Sequence, residues 1–529
     1  MMPAASARSL RGMVTSPHAL STACGVAVLR NGGNAIEAAL ATAMSLCVTY
    51  PHFCGLGGDA FLLIGDAQGQ VQSISGIGQA AGDVSGYRGA IPVRGARAML
   101  TTAATVDALG QALEISRSTL GGRKSWAELL EPAITQARDG FEISASERFW
   151  LNFRLDQAHT LPDIYRHFLH AGQVPAAGFV RKQPALARTL ETLAARGPRD
   201  FYEGHLARQL AQGLHAAGSP LTAQDLALTR ARTEPPLAMA YRGGELLAHQ
   251  PPTQGMTTLQ IMGLLQRFDL QSMTEGSADH YHLLVEAVKQ AFLDRNRYLG
   301  DPAFAEVPVT RLLSAPHLDA GASAIRMGHA LPWPHGYQHG DTVYVGAADA
   351  AGNSVSLLAT VYYDWGSGVR VGDSGVIWHN RGAAFSLDPA HPNALAPGKR
   401  PFHTLNPGMY RKDGRVQLLY GTQGADGQPQ TLAAVLTRLI DFGLDPMEAL
   451  ARPRFLLGKT FSDASDSLKL EQDVAPEAVA ELRRRGHALS LLAAQSPLMG
   501  HPGVIRIDPV SGLMTGAHDP RSDGLAIGV

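Results

Sequence analysis

The stretch HGDTVYVGAADAAGNSVSLLATVYYDWGSG, residues 339–368, decides the fold. It reads as a β-hairpin. TVYVGAAD is rich in strand-forming residues, Ala351-Gly352-Asn353 supplies the turn, and NSVSLLAT runs back. The entry to this hairpin is unusual. A strand with a buried pattern begins behind a Gly340-Asp341 step, far inside the chain, with the hydroxyl of Thr342 at its first position. A second stretch, LLYGTQGADGQPQTLAAVL at 418–436, reads strand, glycine-rich loop, helix. Such a loop exposes backbone N–H groups that no helical bond uses, and these can hold negative charge. Composition alone favours a plain turn between strand and helix.

Working outward, the chain has 529 residues, so the length prior is about three or four domains, with one large domain allowed. Hydrophobic residues make up 45% and charged residues 17%, enough for a large core. The formal net charge of −1 leaves no basic stripe for a nucleic acid or an anionic membrane surface. Three cysteines, Cys24, Cys47 and Cys54, are too few for a disulfide framework and fit a reducing compartment. The N-terminus has no apolar signal core, and no run reaches the length of a membrane span. The expected location is cytoplasmic.

Ser16-Pro17 predicts a helix start, and Asn34 with Glu37 three residues on predicts a capping box for a buried helix. GLGGDAFLLIGD predicts a glycine turn feeding a strand that pairs with VQSIS. Residues 100–300 read mostly as helix and 303–341 as loop. Strands are predicted at 342–349, 353–361, 374–379 and 416–421. GIGQAAG at 76–82 has the wrong spacing for a dinucleotide loop and reads as a turn. His335 and His339 are four apart, but Pro334 and Gly336 spoil the helix a zinc pair needs. No metal or cofactor is expected.

In order along nearly the whole length, RNGGNAIEAALATAMSLCVTYPHFCGLGGDAFLL, YRGGELLAHQPPTQG, DRNRYLGDPAF, DTVYVGAADAAGNSVSLLAT, GKRPFHTLNPGM, GTQGADGQPQTLAAVL and HDPRSDG resemble the γ-glutamyltransferase family of N-terminal-nucleophile hydrolases. The resemblance implies an α/β fold, a four-layer αββα sandwich. It implies autocleavage between Asp341 and Thr342, giving a large subunit 1–341 and a small subunit 342–529 that together form one structural domain. Thr342 would be the nucleophile, with its freed α-amino group as base. Thr360 matches a supporting hydroxyl, and Gly424 and Ala425 match paired glycines that form an oxyanion hole. Backbone donation at Ala425 survives the lost glycine if φ there is negative.

Three substrate-reading elements depart from that family. Uncharged Gln79 stands where an Arg would pair with a substrate α-carboxylate. Ala384, in NRGAAFS, stands where an Asp would hold an α-ammonium. His403-Thr404 replaces a Ser-Ser pair. Arg381 is a cation that typical members lack at this place, facing either the site or solvent. Arg400 is shared with the family and reads as structural. With these departures the chain looks like the oxamate amidohydrolase branch linked to purine and allantoin breakdown. The expected substrate is a small amide bearing one carboxylate. A γ-glutamyl transferase or glutathione hydrolase, a cephalosporin-type acylase and an unprocessed binding protein remain as alternatives. A homodimer of the paired subunits is a further expectation.

Overall fold

The computed structural model describes residues 5–333, 341–459 and 465–529, with the side chain of Asp341 left out. His335 and His339 lie outside the described residues. Two seven-stranded sheets pack face to face. One runs in the order Leu525–Gly528, Gly12–Ser16, Asp341–Asp349, Ser354–Tyr362, Asp59–Gly65, Val71–Gly76, Arg232–Glu234. The other runs Ala7–Ser9, Met514–His518, Pro502–Ile507, Arg415–Thr422, Gly408–Lys412, Gly244–Ala248, Leu237–Tyr241. All of their strand pairings are antiparallel. Helices cover both outer faces, which gives the expected four-layer αββα sandwich.

The period-2 alternation of the hairpin builds core on both of its faces at once. Val343, Val345 and Ala347 point to helices on one side. Tyr344 and Ala348 point into the space between the sheets, where they meet Phe61, Leu358 and Leu405, and Leu247, Leu419 and Ile505. Each large side chain so buried contributes about 1.5–3 kcal/mol. A strand buried on both faces carries an almost unbroken apolar run, and all nine residues of Ser354–Tyr362 are buried.

The helix Ala35–Thr49 is buried at every position, and Asn34 and Glu37 form the predicted capping box. The other outer layer holds Gly255–Leu265, Ala278–Tyr298 and Gln428–Leu436. Among the described residues no helix is long and apolar enough to cross a membrane.

Three predicted elements differ. Ser16 ends a strand, paired with Leu525, and the helix starts after His18. A residue before proline disfavours helical backbone, and the sheet takes it instead. Residues 374–379 form no strand, because Gly372 and Gly375 at φ +50° and +74° turn the chain and Trp378 anchors to the Thr101 carbonyl. In the predicted loop 303–341, the described residues form the short helices Val309–Leu312 and Ala315–Ala324.

Candidate active site

Asp341 pairs with Tyr362 and Val343 with Ala359, so the register slips at Thr342. A bulge of this kind re-aims a side chain at the end of a strand. Thr342 is 1% exposed. Its Oγ1 accepts a hydrogen bond from Gln428 Nε2 at 3.3 Å. Gln428 opens the helix Gln428–Leu436 and is wholly buried, and its Oε1 has no partner among the described residues. Sequence reading passed over Gln428. The only signal was its place at the helix start behind the glycine loop.

Thr360 lies on the neighbouring strand, paired with Asp59, and its Oγ1 accepts the Tyr362 N–H at 2.7 Å. Gly58 brings the chain against this residue. A Cβ on Gly58 would lie 2.1 Å from the Thr360 carbonyl oxygen.

The strand Arg415–Thr422 delivers the second motif to the same place. Gly424 has φ +127° and Ala425 has φ +47°. The negative φ set as the condition for Ala425 is not found: it keeps the left-handed backbone a glycine would take, which strains a residue with a side chain but leaves its N–H in the turn. The turn closes through the Gly427 N–H to the Gly424 carbonyl at 2.7 Å. Gln254 holds it from the side, donating through Nε2 to the carbonyls of both Ala425 and Thr404, each at 2.7 Å. Arg295 Nη1 donates to Gln254 Oε1, and Arg295 Nη2 pairs with Asp426, both at 3.3 Å. Beside this clamp is a cavity of about 260 Å³ lined by Arg295, Leu299, His391, Asn393, Phe402 and Asp426. A larger groove of about 610 Å³ lies at the opposite end of the Arg415–Thr422 strand, against Gln417 and Leu418, away from Thr342.

Arg381 is 0% exposed and does not face solvent. Its guanidinium lies 3.6 Å from the centre of the Tyr362 ring, and Nη2 donates to Thr404 Oγ1 at 3.3 Å. Nε and Nη1 have no partner among the described residues. Burial lowers its pKa to about 10. Next to Thr404, His403 donates through Nε2 to Asp59 at 3.2 Å and accepts the Leu405 N–H at Nδ1, which fixes one neutral tautomer. Burial, with the nearby Arg381 charge, lowers His403 to about 3. For Asp59, burial alone would raise the carboxyl. His379 and His403 outweigh it and hold the group below the usual carboxylate range. Asp59 is a second residue the sequence reading did not single out.

The other expected substrate positions divide. Ala384 is buried on the turn Arg381–Ala384, and its carbonyl accepts from Asn393 at 2.6 Å. Gln79 turns away: its amide donates to the Asp225 carbonyl and to Thr229, at 3.1 and 3.4 Å. Arg400 pairs with Asp301 at 2.8 Å, as a structural residue would.

One group among the described residues has metal-ligand chemistry: His282, Glu286 and His487. Its donors already serve the protein. His282 Nδ1 meets His487 Nε2 at 2.8 Å, and the Glu286 carboxylate accepts from Lys289 Nζ and the Leu331 N–H. The cluster fastens residues 326–331 to the rest of the fold through the Arg326 and Leu331 backbones.

The family model for gamma-glutamyltranspeptidase matches residues 21–529. The chain is 45% identical over 526 residues to the oxamate amidohydrolase proenzyme of Klebsiella pneumoniae, covering 98% of this chain and 99% of that one. It is 38% identical over 525 residues to the glutathione hydrolase-like YwrD proenzyme of Bacillus subtilis, covering 98% of each. Its structure matches the crystal structure of cephalosporin acylase from Bacillus halodurans with a TM-score of 0.92 at 30% identity, over 100% of this chain and 98% of the other. A match of this extent, on a sandwich that carries a threonine at the head of its central hairpin, shows that the chain belongs to the γ-glutamyltranspeptidase family of hydrolases.

Proposed function

We propose that the chain cleaves itself between Asp341 and Thr342 and then hydrolyses a small amide that carries a carboxylate next to the scissile carbonyl, with oxamate as the best-fitting member of that class. The products of maturation are residues 1–341 and 342–529. The Thr342 Oγ attacks the amide carbonyl while the freed α-amine takes the hydroxyl proton and passes it to the departing nitrogen. The N–H groups of Gly424 and Ala425 hold the oxyanion. Ammonia leaves, an acyl ester remains on Thr342, and water releases the acid by the same steps in reverse order. Gln428 orients the Thr342 hydroxyl. Thr360 braces the strand beside it.

The observation that carries the substrate reading is Arg381. A wholly buried guanidinium with two unpartnered nitrogens costs free energy unless an anion completes it. The anion has to be close to the oxyanion turn. Thr404, which touches Arg381, and Ala425 accept from one and the same Gln254 nitrogen. A short carboxylate–carbonyl spacing suits that arrangement, and a γ-glutamyl chain does not. Ala384 offers nothing to an ammonium, and Gln79 is occupied elsewhere. The relative named oxamate amidohydrolase supports the same choice.

The test compares kcat/KM for oxamate, glutathione and a γ-glutamyl anilide on matured enzyme, by ammonia or anilide release. Each missing charged contact is worth about 1.5–3 kcal/mol, so glutathione should fall at least about a hundredfold below oxamate. Glutathione within about tenfold of the best amide overturns the substrate reading. Thr342→Ala should abolish both cleavage and turnover. Turnover that survives this substitution overturns the mechanism.

A further inference from the structure

We infer that Gln254 is a positioning residue that holds the oxyanion turn in its strained form and sets the spacing between that turn and the carboxylate-binding wall. The inference rests on the reading of Gly424–Ala425 as the oxyanion site of acyl transfer to Thr342.

Gln254 caps the helix Gly255–Leu265, and its side chain is wholly buried. Every polar atom of its amide is used. Both N–H bonds go to carbonyls, of Thr404 and Ala425, and the oxygen accepts from Arg295. A flipped amide would set its oxygen against two carbonyls and its NH₂ against a guanidinium, so the orientation is fixed. The backbone adds a further tie, from the Gln254 N–H to the His403 carbonyl at 3.0 Å. Gln254 is thus bound to the 403–404 segment twice and to the turn once. The two carbonyl oxygens share one nitrogen at 2.7 Å each, so they lie no farther apart than twice that distance.

Ala425 is the residue that needs holding. At φ +47° it occupies a conformation that alanine leaves when free to do so, and leaving it would rotate the N–H groups on both sides of the turn. Its carbonyl is clamped by Gln254, and the carboxylate of the next residue, Asp426, is clamped by Arg295. Both clamps come from residues before position 341. The constraint on the turn is therefore imposed across the proposed cleavage point.

Gln254→Ala should lower kcat for the amide substrate by about 10- to 100-fold, in the range of a displaced oxyanion donor, with KM changed by less than about threefold. Gln254→Glu keeps the acceptor for Arg295 and turns an acceptor on the two carbonyls, so it should be at least as damaging. The deciding measurement is rescue. Ala425→Gly removes the preference for leaving the left-handed region, so Gln254→Ala combined with Ala425→Gly should recover about tenfold of the lost kcat. A glutamine that only stabilises the fold predicts the opposite, because an added glycine loosens the chain further. If Gln254→Ala blocks maturation, recovery of cleavage in the double variant becomes the readout. Unchanged kcat in Gln254→Ala, or no recovery in the double variant, overturns the inference while an inactive Thr342→Ala leaves the underlying mechanism standing. Turnover by Thr342→Ala removes the mechanism itself.

Discussion

Arg381 and His403 sit within one connected wall, and burial moves the two in ways that a pH profile separates. Burial favours the neutral form of each. For Arg381 that places loss of charge at about 10, where it comes within reach of an assay. The charged form proposed to bind the substrate carboxylate is complete below that value and is lost as pH rises through it. KM for a carboxylate amide should therefore climb above about pH 10. Bound substrate stabilises the charged form, so the limb in kcat should lie at higher pH than the limb in kcat/KM. On the acid side, the α-amine of a mature Thr342 has an ordinary pKa of about 7.7–8.0, and kcat should fall below it. His403 stays neutral down to about 3 and adds no limb between. The contribution of Asp59 to stability has the opposite sense. Its carboxyl is held below the usual range, so that contribution is complete above the unfolded value of about 3.9 and is lost only on acidification beneath it. Arg381→Ala should raise KM for the carboxylate amide about ten- to hundredfold, and Arg381→Lys should recover little, because an ammonium lacks the planar fork. Equal KM values for Arg381→Ala and wild type would remove Arg381 from the substrate wall.

At the scale of elements, the proposed site is made where strands end. Thr342 stands on a bulge at the head of one strand, Thr360 near the end of the next, and Gly424–Ala425 just beyond a third. The backbone of Gly58 wedges these together, since any side chain there would overlap the Thr360 carbonyl. Gly58→Ala should cost about 1–3 kcal/mol of stability from overpacking. Activity should fall further, about a hundredfold, because a shift near 1 Å at the reacting groups is enough for that. A melt and a kcat measurement on the same sample check it, and a fully active Gly58→Ala enzyme would show that the strand ends tolerate movement. This is also the scale at which the sequence was most legible. The hairpin, the capping box at Asn34 and Glu37, and the strand–loop–helix at 418–436 all carry local signals of period, cap and turn. What stayed hidden depends on partners distant in the chain. Ser16 becomes strand because Leu525 pairs with it, and 374–379 become loop because Thr101 anchors Trp378. Asp59, Gln254 and Gln428 gain meaning only from 403, 425 and 342 respectively. Gln79 was legible as an uncharged substitute but not as a residue facing away.

For the whole molecule, the telling feature is how the two segments alternate within each sheet. In one sheet, strands 12–16, 59–65 and 71–76 flank 341–349 and 354–362, with 525–528 outside. In the other, 244–248 pairs with 408–412 and carries 237–241 on its far side, and 7–9 pairs with 514–518. After the proposed cleavage the products should co-elute as one particle on a native column. They should separate only in denaturant, where two bands of unequal length appear. Two native peaks would contradict the shared sheets. The pattern also orders events in time. Neither segment has a complete sheet of its own, so neither can present the bulged threonine, the glycine turn and the clamp from residue 254 to one another until the whole precursor has collapsed correctly. The cut is then a certificate of folding, issued by the chain to itself. A misassembled copy keeps the α-amine of Thr342 locked in the preceding peptide bond, so its hydroxyl has no base and stays chemically silent, which spares the cell an unguarded nucleophile.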